Sequence, residues 1–215
     1  MIVLDVGNSS VSLARIENPD VRPDLMDCRR LEDRPSPRGD GPCSDLITTV
    51  TDHRQDGEAI AVVSVVPEVT AALASACTRI IVVDHTVAMP FTLALDDPAS
   101  TGADRFANIA AAAAMGWSKA LIVDAGTATT FDVLDDGVFT GGLIAPGMAM
   151  AARELGEKAA RLSPVPFGPV PLEPGRGTAS AMRAGCYHVG VQGVAGVLVR
   201  LHEALDSAPV VLTGG

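Results

Sequence analysis

Leu121-Ile122-Val123-Asp124-Ala125-Gly126-Thr127-Ala128-Thr129 repeats the pattern that opens the chain, Ile2-Val3-Leu4-Asp5-Val6-Gly7-Asn8-Ser9-Ser10. Each copy runs three apolar residues into an Asp, a small or β-branched residue and a Gly, then a cluster of hydroxyl or amide side chains. Hydrophobic alternation resumes at Val11 and Leu13 in the first copy and at Phe131 and Val133 in the second. Both copies therefore read as strand, tight turn, strand, because period-two alternation marks strands and Asp, Asn and Gly favour turns. A Rossmann reading is disfavoured, since it needs a helix directly after the Gly-rich turn. One such turn alone is an ordinary hairpin. Two at equivalent places predict two similar halves, each presenting a phosphate-binding hairpin to a shared cleft.

A phosphoryl group needs N–H and O–H donors within reach and a cation to offset its charge. Gly7 and Gly126 let the backbone approach without a Cβ, while Asn8, Ser9, Ser10, Thr127 and Thr129 supply donors. Asp5 and Asp124, at strand ends, are suited to hold Mg²⁺, a monovalent cation or a metal-bound water. A third segment, Gly102-Ala103-Asp104-Arg105, puts an Asp beside an Arg at a predicted helix start. Such a pair can take a proton from a substrate hydroxyl while the Arg binds a carboxylate. The same residues also read as a first-turn helix acid beside a surface cation.

At 215 residues the chain can bury a sizeable core, as one large domain or two small ones. Its 47% apolar and 20% charged residues are a globular composition. A formal charge of −10 argues against nucleic acid as a partner. No run of 18 apolar residues appears and the chain begins on a strand, which predicts no signal peptide, no membrane span and a cytoplasmic location. Cys28, Cys43, Cys77 and Cys186 lack CxxC spacing, and His53, His85, His188 and His202 lack HExxH spacing, so free thiols and no zinc site are expected. Residues 59–66 read as a strand ending at Pro67, 68–77 as a helix and 79–83 as a strand, a β–α–β unit with parallel pairing. Residues 33–45, rich in charge and proline, read as an exposed loop. Helices are predicted over 104–115 and 148–162, and one or two over 179–205. Pro164, Pro166, Pro169, Pro171 and Pro174 make 163–177 a long loop or flap, and 210–212 reads as a last strand.

Taken in order, DVGNSS (5–10), SVVP (64–67), TGADRFANIAAA (101–112), DAGTATTFDV (124–133), GGLIAPG (141–147) and TGG (213–215) closely resemble type III pantothenate kinase. That family belongs to the actin–sugar kinase–Hsp70 ATPase superfamily. The resemblance runs the length of the chain, and GADR followed by DAGTATTFD is its specific part. It implies an α/β fold of two ribonuclease-H-like, actin-like ATPase domains around a cleft, at 1–118 and 119–215, in a homodimer. The implied reaction moves the γ-phosphate of ATP onto the primary hydroxyl of pantothenate, the first step of coenzyme A synthesis. Residue by residue, Asp5, Val6, Gly7, Asn8, Ser9, Ser10, Val11 and Ser12 match the first ATP-phosphate loop, and Thr127 an ATP contact. Asp104 matches the general base, and Gly102, Ala103, Asp104 and Arg105 the pantothenate-binding segment. Thr178 matches a pantothenate contact near the dimer interface, and Asp124 the ligand of a monovalent cation, K⁺ or NH4⁺; Mg²⁺ accompanies ATP.

Two departures from the family pattern stand out. Leu95 occupies the place of a usual Tyr, and the family usually continues beyond the Gly-Gly at 214–215. The second domain is therefore expected to be cut short at its C-terminus, with an open adenine pocket. Asp5, Asp104, Arg105 and Asp124 favour an active kinase. Leu95 and the short C-terminus favour a weakly active or inactive homologue working as a regulatory or binding protein.

Overall fold

The computed structural model describes residues 1–17, 28–35 and 43–214, and the chain divides into two compact units, Met1–Trp117 and Ser118–Gly215. The first contains β1 (Ile2–Val6), β2 (Ser10–Ile16), β3 (Cys28–Pro35), α1 (Cys43–His53), β4 (Ile60–Ser64), α2 (Pro67–Ala76), β5 (Ile80–Val82), β6 (Thr92–Leu93) and α3 (Ala103–Ala114). Five of its strands form a sheet in the order β3-β2-β1-β4-β5. The turn after β1 is too short for a crossover, so β1 and β2 pair antiparallel, Asp5 facing Ser12. A connection containing α1 brings β4 parallel to β1, and α2 brings β5 parallel to β4. Three antiparallel strands followed by parallel ones is the ribonuclease-H-like arrangement.

Alternation along β1 buries Ile2, Leu4 and Val6 against Leu46 and Val50 of α1 and Val69 and Leu73 of α2. Each such side chain contributes roughly 1.5–3 kcal/mol on burial. The same period-two geometry leaves Asp5 exposed on the opposite face. Core packing and site chemistry thus share one strand.

The second unit contains β7 (Ala120–Ala125), β8 (Ala128–Asp135), β9 (Val138–Pro146), α4 (Met148–Lys158), α5 (Thr178–Ala204) and β10 (Val210–Gly214). Its strands lie in the order β10-β7-β8-β9, with β7, β8 and β9 antiparallel and β10 parallel to β7. Asp136 and Gly137, at φ 50° and 74°, make the tight β8–β9 turn that an Asp-Gly pair favours. Leu121, Val123 and Phe131 pack beneath Val194, Val197, Leu198 and Leu201 of α5. No helix among the described residues is long and apolar enough to cross a membrane.

Two expectations change, and a third is narrowed. Residues 33–35 end strand β3 and 43–45 begin α1, while 36–42 lie outside the described residues. Residues 33–35 read as loop on their charge and proline, yet the end of an edge strand tolerates both. Helix α4 ends at Lys158, not residue 162. The backbone of Pro164 returns so close that a Cβ on Gly156 would stand 2.6 Å from it, which requires the chain to leave the helix. Residues 178–204 form a single helix, and 163–177 are irregular.

Glu58 ties the far end of the first sheet together. Its carboxylate meets the Met1 ammonium at 3.0 Å, Arg15 Nε at 3.1 Å and the donating Gln55 N–H at 3.0 Å. Burial opposes its ionisation, but the Gln55 N–H, Arg15 and the ammonium outweigh burial and bring its pKa to about 2. A lowered carboxyl pKa stabilises the fold above the ordinary value of 4.5, and that gain is lost as pH falls from 4.5 through about 2. Glu58→Gln is expected to cost about 2 kcal/mol at neutral pH and to flatten the acid limb of stability, measured by urea unfolding between pH 2 and 7.

Candidate active site

Two segments distant in sequence meet at one end of the first sheet. After β1 the Gly7 N–H donates to the Ser10 carbonyl at 2.9 Å, closing the turn. Val6 and Val11 are buried and anchor it, Asn8 and Ser12 are half-buried, and Ser9 and Ser10 are exposed. The end of β4 lies alongside, with the Val65 N–H donating to the Val6 carbonyl at 3.0 Å. Val65 in turn packs against Gly102, where a Cβ would stand 3.5 Å from Cγ1 of Val65. Asp5–Ser12 and Gly102–Arg105 therefore share this end.

Helix α3 begins at Ala103 with Gly102 as an N-cap that offers no side chain. Ala103, Phe106, Ile109 and Ala112 recur at helical spacing and are all buried, which sets the helix rotation. Asp104 and Arg105 are left half-buried on its flank. The Asp104 Oδ1 accepts the Arg105 N–H at 2.8 Å and folds back over Gly102, where a Cβ would stand only 2.4 Å from it. A negative charge in a first turn also suits the helix dipole. Leu95 is half-buried in the irregular segment before a 3-10 turn at Pro98–Ser100.

In the second unit Asp124 sits near the end of β7, half-buried. Two glycines lie close against it: a Cβ at Gly214 would stand 2.6 Å from Asp124 Oδ1, and one at Gly126 3.4 Å. Gly214 has φ +91°, a conformation that disfavours any side chain. A carboxylate in a cradle that Cβ atoms would fill suits a monovalent cation. In the first unit, the exposed Asp5 beside the β1–β2 turn suits Mg²⁺, which takes one or two carboxylates together with substrate phosphates. Among the described residues no group of three or more His, Cys, Asp or Glu side chains is gathered for a metal.

Thr127 is half-buried, and its carbonyl accepts the Gly147 N–H at 3.1 Å. A Cβ on Gly147 would stand 2.3 Å from that oxygen and 2.4 Å from the Gly126 carbonyl, so the start of α4 closes on this turn. Thr178 is the exposed first residue of α5. Sequence reasoning passed over the close approaches of Gly147 and Gly214, and over Thr130 and Asp132, both buried on β8. The Pro-Gly and Gly-Gly pairs mark tight backbone, but only strand pairing shows what the glycines touch.

A family model described as type III pantothenate kinase matches residues 1–200. A type III pantothenate kinase of Thermomicrobium roseum is 37% identical over 73% of this chain and 63% of its own length. Another, of Paramagnetospirillum magneticum, is 32% identical over 100% of this chain and 85% of its own length. A third, of Listeria monocytogenes, is 33% identical over 74% and 64%. The match thus spans less than two thirds of the first and third relatives. Among solved structures, a Campylobacter jejuni protein of the Baf family covers 98% of this chain and 90% of its own at TM-score 0.53 and 17% identity. The ethanolamine utilization protein EutJ of Carboxydothermus hydrogenoformans covers 100% and 75% at TM-score 0.53 and 15% identity. At such identities the likeness is one of fold alone, an actin-like α/β fold. The family match over residues 1–200 and the GADR and DAGTATTFD segments agree: the chain belongs to the type III pantothenate kinase family.

Proposed function

We propose that the chain phosphorylates pantothenate with ATP, giving 4′-phosphopantothenate and opening coenzyme A synthesis. The observation that carries this reading is Asp104, whose carboxylate is held over Gly102 at the helix start beside the hydroxyl-rich β1–β2 turn. A carboxylate so held can accept the proton of the acceptor's primary hydroxyl as its oxygen attacks the γ-phosphorus and ADP departs. Arg105 pairs with the pantothenate carboxylate, and Thr178 adds a second contact to that substrate. Backbone and hydroxyl donors from Gly7 to Ser12 in the first unit hold the ATP phosphates, and Thr127 is the ATP contact that the second unit supplies. Mg²⁺ at Asp5 and K⁺ or NH4⁺ at Asp124 supply the positive charge that offsets the phosphates.

We further infer a cytoplasmic homodimer. The outer face of α5 carries Gly185, Val189, Gly193, Gly196 and Val199, with Val189 at 74% and Val199 at 50% exposure. A small, apolar face of this kind supports close helix contact with a second copy. The net charge of −10 supports a partner set without nucleic acid.

ADP release measured with and without pantothenate, in Mg²⁺ with either K⁺ or tetramethylammonium, tests the reading. Turnover is expected only with pantothenate and to fall sharply without K⁺; Asp124→Ala is expected to remove that K⁺ dependence. Folded protein that shows no pantothenate-dependent turnover at millimolar ATP would overturn the assignment.

A further inference from the structure

Asp132 is a buried acid that the reaction above does not use. It lies within β8, 0% exposed, paired with Ile122 on β7 and Gly142 on β9. Neither of those cross-strand residues has a polar side chain, and a buried carboxylate is costly unless it is hydrogen-bonded. Thr130, two residues away on the same face and also buried, donates its hydroxyl to Asp132 Oδ2 at 3.1 Å. Thr130 is in turn the direct cross-strand partner of Asp124. Side chains so paired share a face and lie within interaction range.

A threonine hydroxyl has one proton and two lone pairs. With its proton committed to Asp132, the Thr130 oxygen can only accept on the side of Asp124. Released, the same hydroxyl would donate to the Asp124 carboxylate and compete with any cation there. We propose that Asp132 is a positioning residue for the cation at Asp124, holding the Thr130 proton so that the hydroxyl's lone pairs face that cation. The proposal rests on the reading of Asp124 as a cation ligand. Gly142 contributes by proximity: a Cβ there would stand 3.0 Å from the Asp132 Cα, so β9 presses the Asp132 backbone into place.

Thermal unfolding followed while K⁺ replaces tetramethylammonium at constant ionic strength reads cation binding without turnover. Wild type is expected to melt higher as K⁺ rises, with a saturable midpoint, and Asp124→Ala to lose that response. Thr130→Val is expected to raise the midpoint about tenfold, as when an outer-shell partner of a metal ligand is removed. Thr130→Ser, which keeps the hydroxyl, is expected to stay near wild type. Asp132→Asn can donate an amide proton to Thr130, turning the hydroxyl proton outward, and is expected to raise the midpoint several-fold. Because Asp132 acts through Thr130, the double variant is expected to be no weaker than Thr130→Val alone.

A wild-type melt indifferent to K⁺ would overturn the Asp124 reading and this proposal with it. A normal wild-type response with unmoved midpoints in Thr130→Val or Asp132→Asn, or with losses that multiply in the double variant, would overturn the Asp132 proposal alone. If Asp132→Asn does not fold, Thr130→Val against Thr130→Ser decides: equal midpoints overturn the proposal, and a raised midpoint in Thr130→Val only supports it.

Discussion

Gly102→Ala is expected to lose about two orders of magnitude in kcat while melting close to wild type, a loss typical of a misplaced catalytic group. The backbone at Gly102, at φ −61° and ψ 142°, accepts any residue, so the substitution brings no backbone strain. The added methyl would meet Asp104 Oδ1 at 2.4 Å and Val65 Cγ1 at 3.5 Å. The second distance is ordinary contact; the first is not. The carboxylate, as the end of a side chain, yields more readily than backbone and swings away from its place above the helix start. Asp104→Asn removes the base without moving it and is expected to lose about 10²-fold or more in kcat. Steady-state kinetics with melting curves for both variants separate chemistry from folding. A Gly102→Ala enzyme with unchanged kcat would show that the position of Asp104 is not what the reaction depends on.

Gly142→Ala is expected to destabilise the second unit by about 3 kcal/mol or more, the upper range for forcing a side chain into occupied space. A Cβ there would stand 2.0 Å from the Phe131 carbonyl oxygen and 2.9 Å from its carbon. Those are backbone atoms of a strand paired on both sides, and they have nowhere to move. Gly141, at φ 111°, and the register shift at Val133/Leu134 show that this Gly-Gly pair makes an irregularity that presses β9 onto β8. Urea unfolding of the two proteins measures the difference, and equal midpoints would show that β9 can stand off without cost.

The hairpins at Asp5 and Asp124, the β–α–β unit through α2 and the Ala-rich α3 were all legible in sequence, because each rests on local periodicity and turn chemistry. The end of strand β3 was not, since the charge and proline of residues 33–35 mark a loop in sequence as readily as the end of an edge strand. The early end of α4 was hidden for a different reason, since it follows from a later backbone segment packing on Gly156.

The same division runs through the site. Sequence alone determined which residue types stand at the strand ends and at the start of α3, and the family to which that combination belongs. Only the tertiary structure decided that Gly102 rests on Val65, that Gly214 comes up against Asp124, and that Thr130 lies between Asp124 and Asp132. These relations depend on strand register and on backbones far apart in the chain. A one-residue slip in that register would turn Thr130 and Asp132 to the other face, and no local preference of either residue prevents it.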